Sequence, residues 1–207
     1  MQRGKLHIIM GNMFANKSGT IIHKIETMRT FGHKNVLIFT PTTDTRSGKG
    51  LIRSNNGMSL RAIDLLARRP NKALNIIRRE EAEMGSKFHT IVFDEVQFFS
   101  PPRVFYRLTD ELLRLGYDVL AAGLRLDFRG EPFGVTLSLI GLCESMQQVT
   151  LLASYCAKCG EPAHLPQRLI NGKPAPYLSP QVKVGGKESY EARCDKCYEL
   201  PGRPRIN

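Results

Sequence analysis

Long apolar runs are missing from this chain. Nowhere in the 207 residues does a stretch approach the ~18 consecutive apolar positions of a membrane-crossing helix, which argues against a bilayer-spanning protein. The apolar part of residues 1–10 is also too short for a secretory leader, so the expectation is a cytoplasmic protein. Acidic residues are scarce: 19 Asp and Glu against 30 Lys and Arg leave a net charge of +11. Such a surplus suits anionic partners, whether nucleotides, nucleic acid or acidic lipid, without choosing among them. Internal repeats are absent. Cysteine is sparse, but four of the five form two Cys-x-x-Cys pairs, Cys156/Cys159 and Cys194/Cys197. In a cytoplasmic chain such pairs read as a metal site before a disulfide. Cys143 lies in an apolar helical pattern and reads as a small buried hydrophobe.

What is present begins with the apolar run Leu6 to Met10, followed by Gly11-Asn12-Met13-Phe14-Ala15-Asn16-Lys17-Ser18 and a helical pattern to Phe31. A buried strand turning sharply into a helix leaves the first helical N–H groups unpaired, and a lysine beside them adds fixed positive charge, a combination that holds phosphates. Spacing from Gly11 to Lys17-Ser18 is that of the Walker A loop, in which Lys17 reaches the transferring phosphates and Ser18 ligates Mg²⁺. One position departs, because Asn16 replaces the second glycine. Glycine serves there by reaching φ > 0, and asparagine enters that region more readily than other residues with a side chain.

Further strands are expected at Asn35 to Thr40, Phe88 to Phe93, Tyr117 to Leu124 and Gln148 to Ala153, with a short one near Ser59 to Leu66. Helical patterns cover Pro70 to Met84, Ser100 to Leu115 (Ser100 as N-cap, Pro101 as first helical residue) and Val135 to Cys143. Residues 41–57 read as a polar loop. The alternation gives an α/β fold, a P-loop (RecA-like) mostly parallel sheet with helices on both faces, over residues 1–153. Asp94-Glu95 ends the third long strand as a Walker B element does, at the edge where parallel sheets take ligands. From Ser154 the text turns short and polar between the two cysteine pairs, which can complete a tetrahedral Zn²⁺ shell unaided. Residues 154–200 are therefore expected to be a small zinc ribbon, with His164 outside the metal shell and 201–207 a disordered tail.

Taken in order, the Walker A loop, Asp44-Thr-Arg46, Asp94-Glu95-Val-Gln97-Phe98-Phe99, Asp127-Phe-Arg-Gly-Glu-Pro-Phe-Gly134, Gly185-Gly186-x-x-x-Tyr190-x-x-x-Cys194 and the four cysteines resemble the zinc-containing thymidine kinases of bacteria and the animal cytosol. The resemblance spans about residues 5 to 198. It implies transfer of the γ-phosphoryl of ATP to the 5′-hydroxyl of thymidine or deoxyuridine. It assigns Glu95 as base and Asp94 to the Mg²⁺ side, and puts Asp44, Arg46 and Gln97 near the phosphate donor. Met13, Phe98, Leu124 and Phe128 would form the thymine pocket, with Gln181, Val182, Lys183, Val184 and Gly185 as a loop reading the base by its backbone, beside Tyr190. Zinc would be structural, anchoring that loop as a lid. Phe99 reads as ordinary core. The family resemblance also implies a homotetramer and feedback inhibition by thymidine triphosphate, with no membrane partner.

Besides Asn16, Gly19-Thr20 replaces a more polar pair, and Arg125 stands where the family has aspartate. A charge reversal there is expected beside the acceptor pocket, where it would alter nucleoside preference or admit an acidic group. Two other readings stand alongside: a nucleotide-binding protein whose kinase activity Asn16 has impaired, and a P-loop ATPase acting on nucleic acid. The second is disfavoured because the ribbon lacks the interleaved aromatics and basic stripe of a nucleic-acid platform.

Overall fold

Apolar segments of three to seven residues, each ended by a turn, build one sheet. In the computed structural model, residues 2–44, 48–54, 56–183 and 189–204 are described. The chain runs β1 (Leu6–Gly11), α1 (Lys17–Thr30), β2 (Val36–Pro41), a hairpin of β3 (Leu51–Arg53) and β4 (Ser59–Arg61), β5 (Ile63–Leu65), α2 (Ala73–Met84), β6 (Thr90–Phe93), α3 (Pro102–Arg114), β7 (Asp118–Leu124) and β8 (Val149–Leu152). The sheet order is β5-β2-β6-β7-β1-β8, with every pairing parallel. Every residue of β2 and β6 is buried, as expected of central strands in a sheet covered on both faces.

On one face α1 lays Ile21, Ile22 and Ile25 over Ile9, Ile38, Val92 and Leu120. All three isoleucines are fully buried, and each contributes roughly 1.5–3 kcal/mol by leaving water. The opposite face packs α2 and α3 over Ile8, Phe39, Ile91, Phe93 and Val119. Phe93 stacks on Phe39 at 5.3 Å and meets Phe105 edge-on at 5.0 Å. Phe99 stacks on Phe105 at 4.7 Å, so its reading as core holds. Because all strands run the same way, β1, β6 and β7 bring their carboxyl ends to one edge, and the acid pair and phosphate-type loop meet there.

Local departures from the sequence reading have local causes. The helix expected from Ser100 starts at Pro102 with Pro101 as an extended N-cap, because a residue preceding proline is driven out of the α region. Val135 to Cys143 forms a 3₁₀ segment at Ser138–Leu142 in place of an α-helix. Gly141 weakens a continuous helix there, and three-residue turns suffice to bury Val135 and Leu139. Residues 41–57 are not wholly loop, since β3 pairs antiparallel with β4 and buries Ile52 completely beneath α1. The single strand expected near Ser59 to Leu66 divides into β4 and β5. Cys143 is half-buried against the core, with its thiol 3.8 Å from the Leu6 carbonyl, and burial pushes that thiol up.

After Ser154 the strands are short and antiparallel. β9 (Ser154–Tyr155) pairs with β10 (Pro162–Ala163), while β11 (Leu165–Ile170) lies between β12 (Lys173–Pro174) and β13 (Tyr190–Arg193). The Tyr177 amide donates to the Pro201 carbonyl at 2.8 Å, tying down the start of the segment expected to be a free tail; residues 205–207 lie outside the described residues. No helix among the described residues is long and apolar enough to cross a membrane.

Candidate active site

The loop between β1 and α1 turns through two residues with side chains at positive φ, Phe14 (63°) and Asn16 (56°). Asn16 is the N-cap of α1 in the left-handed region, at φ 56° and ψ 34°, so asparagine takes the backbone conformation that glycine ordinarily supplies. Its side chain lies on the first turn of α1. A Cβ built on Gly19 would fall 2.2 Å from Asn16 Oδ1 and 2.8 Å from both Cγ and Nδ2. The two departures in this motif therefore fit each other, as the bare Cα of residue 19 makes room for the amide of residue 16.

Lys17 is buried, and its ammonium donates to the Asn12 carbonyl at 2.9 Å. The Ser18 hydroxyl and Asp94 Oδ2 stand 3.4 Å apart. Strand β6 ends at Phe93, Asp94 accepts from the Glu95 amide at 2.9 Å, and Glu95 turns left-handed at φ 49° and ψ 46°. Adjacent carboxylates on a strand would face opposite ways; the turn brings both to the sheet edge. Burial and the neighbouring Glu95 carboxylate push Asp94 up to about 7, with Asp44 adding to the push and Lys17 opposing it. Asp44 is thus brought into the acidic group, at the end of β2; Arg46 lies outside the described residues.

Gln97 sits between the acid and the sheet. Its amide nitrogen donates to Glu95 Oε2, and its carbonyl oxygen accepts from the Leu124 amide at 3.0 Å. Gly123 allows this approach, since a Cβ there would meet Gln97 Oε1 at 2.6 Å. With its oxygen occupied by Leu124, Gln97 can present only its NH₂ group to Glu95, and so orients the carboxylate.

Beside the acids lies an apolar cleft lined by Met13, Phe98, Leu124, Phe128, Gln181, Val182, Lys183 and Tyr190. All eight were expected from the sequence; Val184 and Gly185 fall outside the described residues. Leu126, Asp127, Phe133 and Pro166 complete the lining and were missed. Asp127 and Phe133 lay in a motif already noticed, whereas Pro166 reaches the cleft only through the fold of β11. Segment 177–183 roofs the cleft and is held by its carbonyls. Arg129 donates to Tyr177 O at 2.9 Å and Ser179 O at 2.8 Å, Arg168 to Pro180 O, and Tyr190 to Lys183 O at 2.8 Å. Gln181 donates to Asp127 at 2.9 Å.

Arg125 does not line this cleft. It lines a separate cavity of about 200 Å³ with Asn12, Leu151, Leu152, Ala153, Pro162, Ala163 and His164, so the charge expected beside the acceptor pocket stands outside the lining of the cleft, between Leu124 and Leu126 that belong to it.

The sulfurs of Cys156, Cys159, Cys194 and Cys197 lie within 4.8 Å of one another, with Cys159 and Cys194 at 3.6 Å. Tetrahedral Zn–S bonds of ~2.3 Å separate sulfurs by roughly 3.8 Å, so the four thiols fit a zinc ion. Burial pushes the Cys156 thiol up, but amide hydrogen bonds from Cys194, Lys158 and Cys159 outweigh it and bring the group to about 6. His164 stays outside the cluster, with Nε2 3.4 Å from Asp195.

A helix N-terminus, a lysine and a strand-end acid pair at the carboxyl edge of a parallel sheet define an α/β protein with an edge suited to anionic ligands. Comparison with known proteins narrows that class. The family model described as thymidine kinase matches residues 4–198. Proteins named thymidine kinase from Pyrobaculum aerophilum (39% identical, covering 95% of this chain and 99% of the relative), Thermococcus kodakarensis (37%; 96% and 95%) and Roseiflexus castenholzii (36%; 95% and 95%) are similar over nearly their full lengths. The chain belongs to the thymidine kinase family and is an enzyme of that kind.

Proposed function

We propose that this enzyme transfers the γ-phosphoryl group of ATP to the 5′-hydroxyl of thymidine or deoxyuridine. The observation that carries the reading is the chain of contacts through Glu95, which adjoins Asp94 beside Ser18 of the phosphate-type loop and is bonded by Gln97, itself bonded to Leu124 of the apolar cleft. The loop amides and Lys17 hold the donor phosphates, and the cleft takes the pyrimidine ring under the 177–183 roof. Glu95 accepts the hydroxyl proton as the 5′-oxygen bonds to the γ-phosphorus and the bond to the β–γ bridging oxygen breaks, releasing ADP. Ser18 and Asp94 offer paired oxygens of the kind Mg²⁺ prefers. When bound, that ion supplies neutralisation of the charge on the phosphates. Lys17 is already turned inward, its ammonium on the Asn12 carbonyl.

The resting position of the Asn16 amide, on Gly19, favours a working loop over an impaired one. On this reading residues 1–153 carry the nucleotide site, and residues 154–200 carry the acceptor roof on a structural zinc. A cytoplasmic homotetramer with feedback inhibition by thymidine triphosphate completes the proposal, resting on family resemblance. The test is a coupled assay of purified enzyme with ATP, Mg²⁺ and a panel of nucleosides. Phosphorylation of thymidine or deoxyuridine is expected, with Glu95→Gln lowering kcat about 10²- to 10⁴-fold. Wild-type turnover by Glu95→Gln would remove Glu95 as the base.

A further inference from the structure

A buried side chain links the segment that carries the four cysteines to the phosphate-type loop. Asn12, 4% exposed, makes three connections. Its carbonyl accepts from the Lys17 ammonium at 2.9 Å, its Oδ1 accepts from the Met13 amide at 2.7 Å, and its Nδ2 donates to the Leu165 carbonyl at 3.0 Å, across 153 positions of chain. Leu165 opens β11. That strand is tied to the thiol cluster twice. It pairs with β13 from Leu165 opposite Arg193 to Arg168 opposite Tyr190, and β13 ends immediately before Cys194. Gln167 also exchanges hydrogen bonds with Glu199, donating to its carbonyl at 2.9 Å and accepting from its amide at 2.8 Å, two residues beyond Cys197.

From this continuity we propose that Asn12 is a positioning residue that couples the four-cysteine centre to nucleotide binding, with the Asn12–Leu165 bond as the strut. The amide group at position 12 has both polar atoms committed, one to its own loop and one to β11, so β11 and the loop backbone share a single rigid planar group. When the thiols hold their metal, β13 and the 198–199 segment fix β11, and β11 fixes the loop that presents Lys17. Coupling of this kind is reciprocal, so nucleotide on the loop must steady β11 as much as metal in the cluster steadies the loop.

The inference rests on the reading of residues 11–18 as the ATP site, and the experiment separates the two. Hydrogen exchange of zinc-loaded protein is measured with and without saturating Mg-ATP, in wild type and Asn12→Ala. The expected result is slower exchange of β11 amides on nucleotide binding in wild type, and loss of that response in Asn12→Ala. In parallel, Kd for Mg-ATP is measured before and after zinc chelation in both proteins. Chelation is expected to weaken binding about two- to tenfold in wild type, the range of one hydrogen bond. Asn12→Ala with zinc present shows the same weakening, and chelation adds nothing further to it. If wild-type β11 ignores bound nucleotide, or chelation weakens both proteins equally, the coupling is overturned while the ATP site stands. If wild type binds no Mg-ATP, the ATP site falls and the coupling falls with it.

Discussion

Substituting Gly19 by alanine has an outcome whose sign depends on residue 16. Within a helix, glycine to alanine ordinarily stabilises by roughly 0.5–1 kcal/mol, and Gly19 is buried in the first turn of α1. Here the added Cβ would sit 2.2 Å from Asn16 Oδ1, far inside van der Waals contact, and the amide must swing off the helix. Overpacking of this sort costs roughly 1–3 kcal/mol, so Gly19→Ala alone is expected to be neutral to about 2 kcal/mol destabilising. In an Asn16→Gly background the three nearest clashing atoms are gone, and the same alanine is expected to recover its ordinary gain. The coupling of the two positions is thus about 1–3 kcal/mol, within the span found for residues in contact. Urea unfolding of the two single variants and the double variant measures it directly. Mg-ATP affinity, measured on the same proteins, is expected to drop in Gly19→Ala and return in the double variant. Equal effects of Gly19→Ala in both backgrounds would refute the reasoning that the two departures compensate.

Other substitutions test the remaining parts. Changing Cys156 to serine is expected to reduce bound zinc from about one ion per chain to none by metal analysis. The same change should raise the nucleoside KM at least ~tenfold, because the roof segment loses its anchor. Arg125→Ala is expected to leave the KM for thymidine within about twofold, since a side chain outside the acceptor cleft falls in the class of substitutions with small effect. Gln97→Leu removes the side-chain partner of the Leu124 amide and the Gln97 donor on Glu95, and should lower kcat at least ~tenfold in steady-state assay while sparing Mg-ATP affinity. Hydrogen bonds from Arg114 and Arg3 hold the Asp110 carboxyl below the usual range. That stabilisation is present above the unfolded carboxyl's pKa of ~3.9 and is lost as pH falls through the lower folded value. The unfolding free energies of wild type and Asp110→Asn, distinct at neutral pH, should therefore converge in acid.

The phosphate-type loop was legible because everything that makes it, from Gly11 to Ser18, is contiguous, and the left-handed turn at Asn16 follows from asparagine's own preferences. The acid pair was legible for the same reason: a buried strand ending in two carboxylates has to turn for both to serve. Arg125 is the first residue beyond β7, and the bend there puts it on the cavity beside Asn12 while Leu124 and Leu126 on either side of it line the apolar cleft. Pro166 and the Asn12–Leu165 bond could not be read at all, since they exist only when β11 folds back across the opening loop. The β3–β4 hairpin was hidden by its composition, as Gly48, Gly50 and Gly57 surround a single short apolar pair, Leu51-Ile52.

The roof segment is gripped by its main-chain oxygens, through Arg129, Arg168 and Tyr190. Two of its side chains add to that hold, Tyr177 donating to Glu131 at 2.7 Å and Gln181 to Asp127 at 2.9 Å, whereas Leu178 is 88% exposed and Val182 47%. A comprehensive substitution map should therefore look inverted. Position 178, exposed and outside the cleft lining, would accept nearly any residue, while Arg129, Arg168 and Tyr190, which hold the segment's carbonyls, would accept almost none. Variation at position 178 therefore carries little information about how the segment is held.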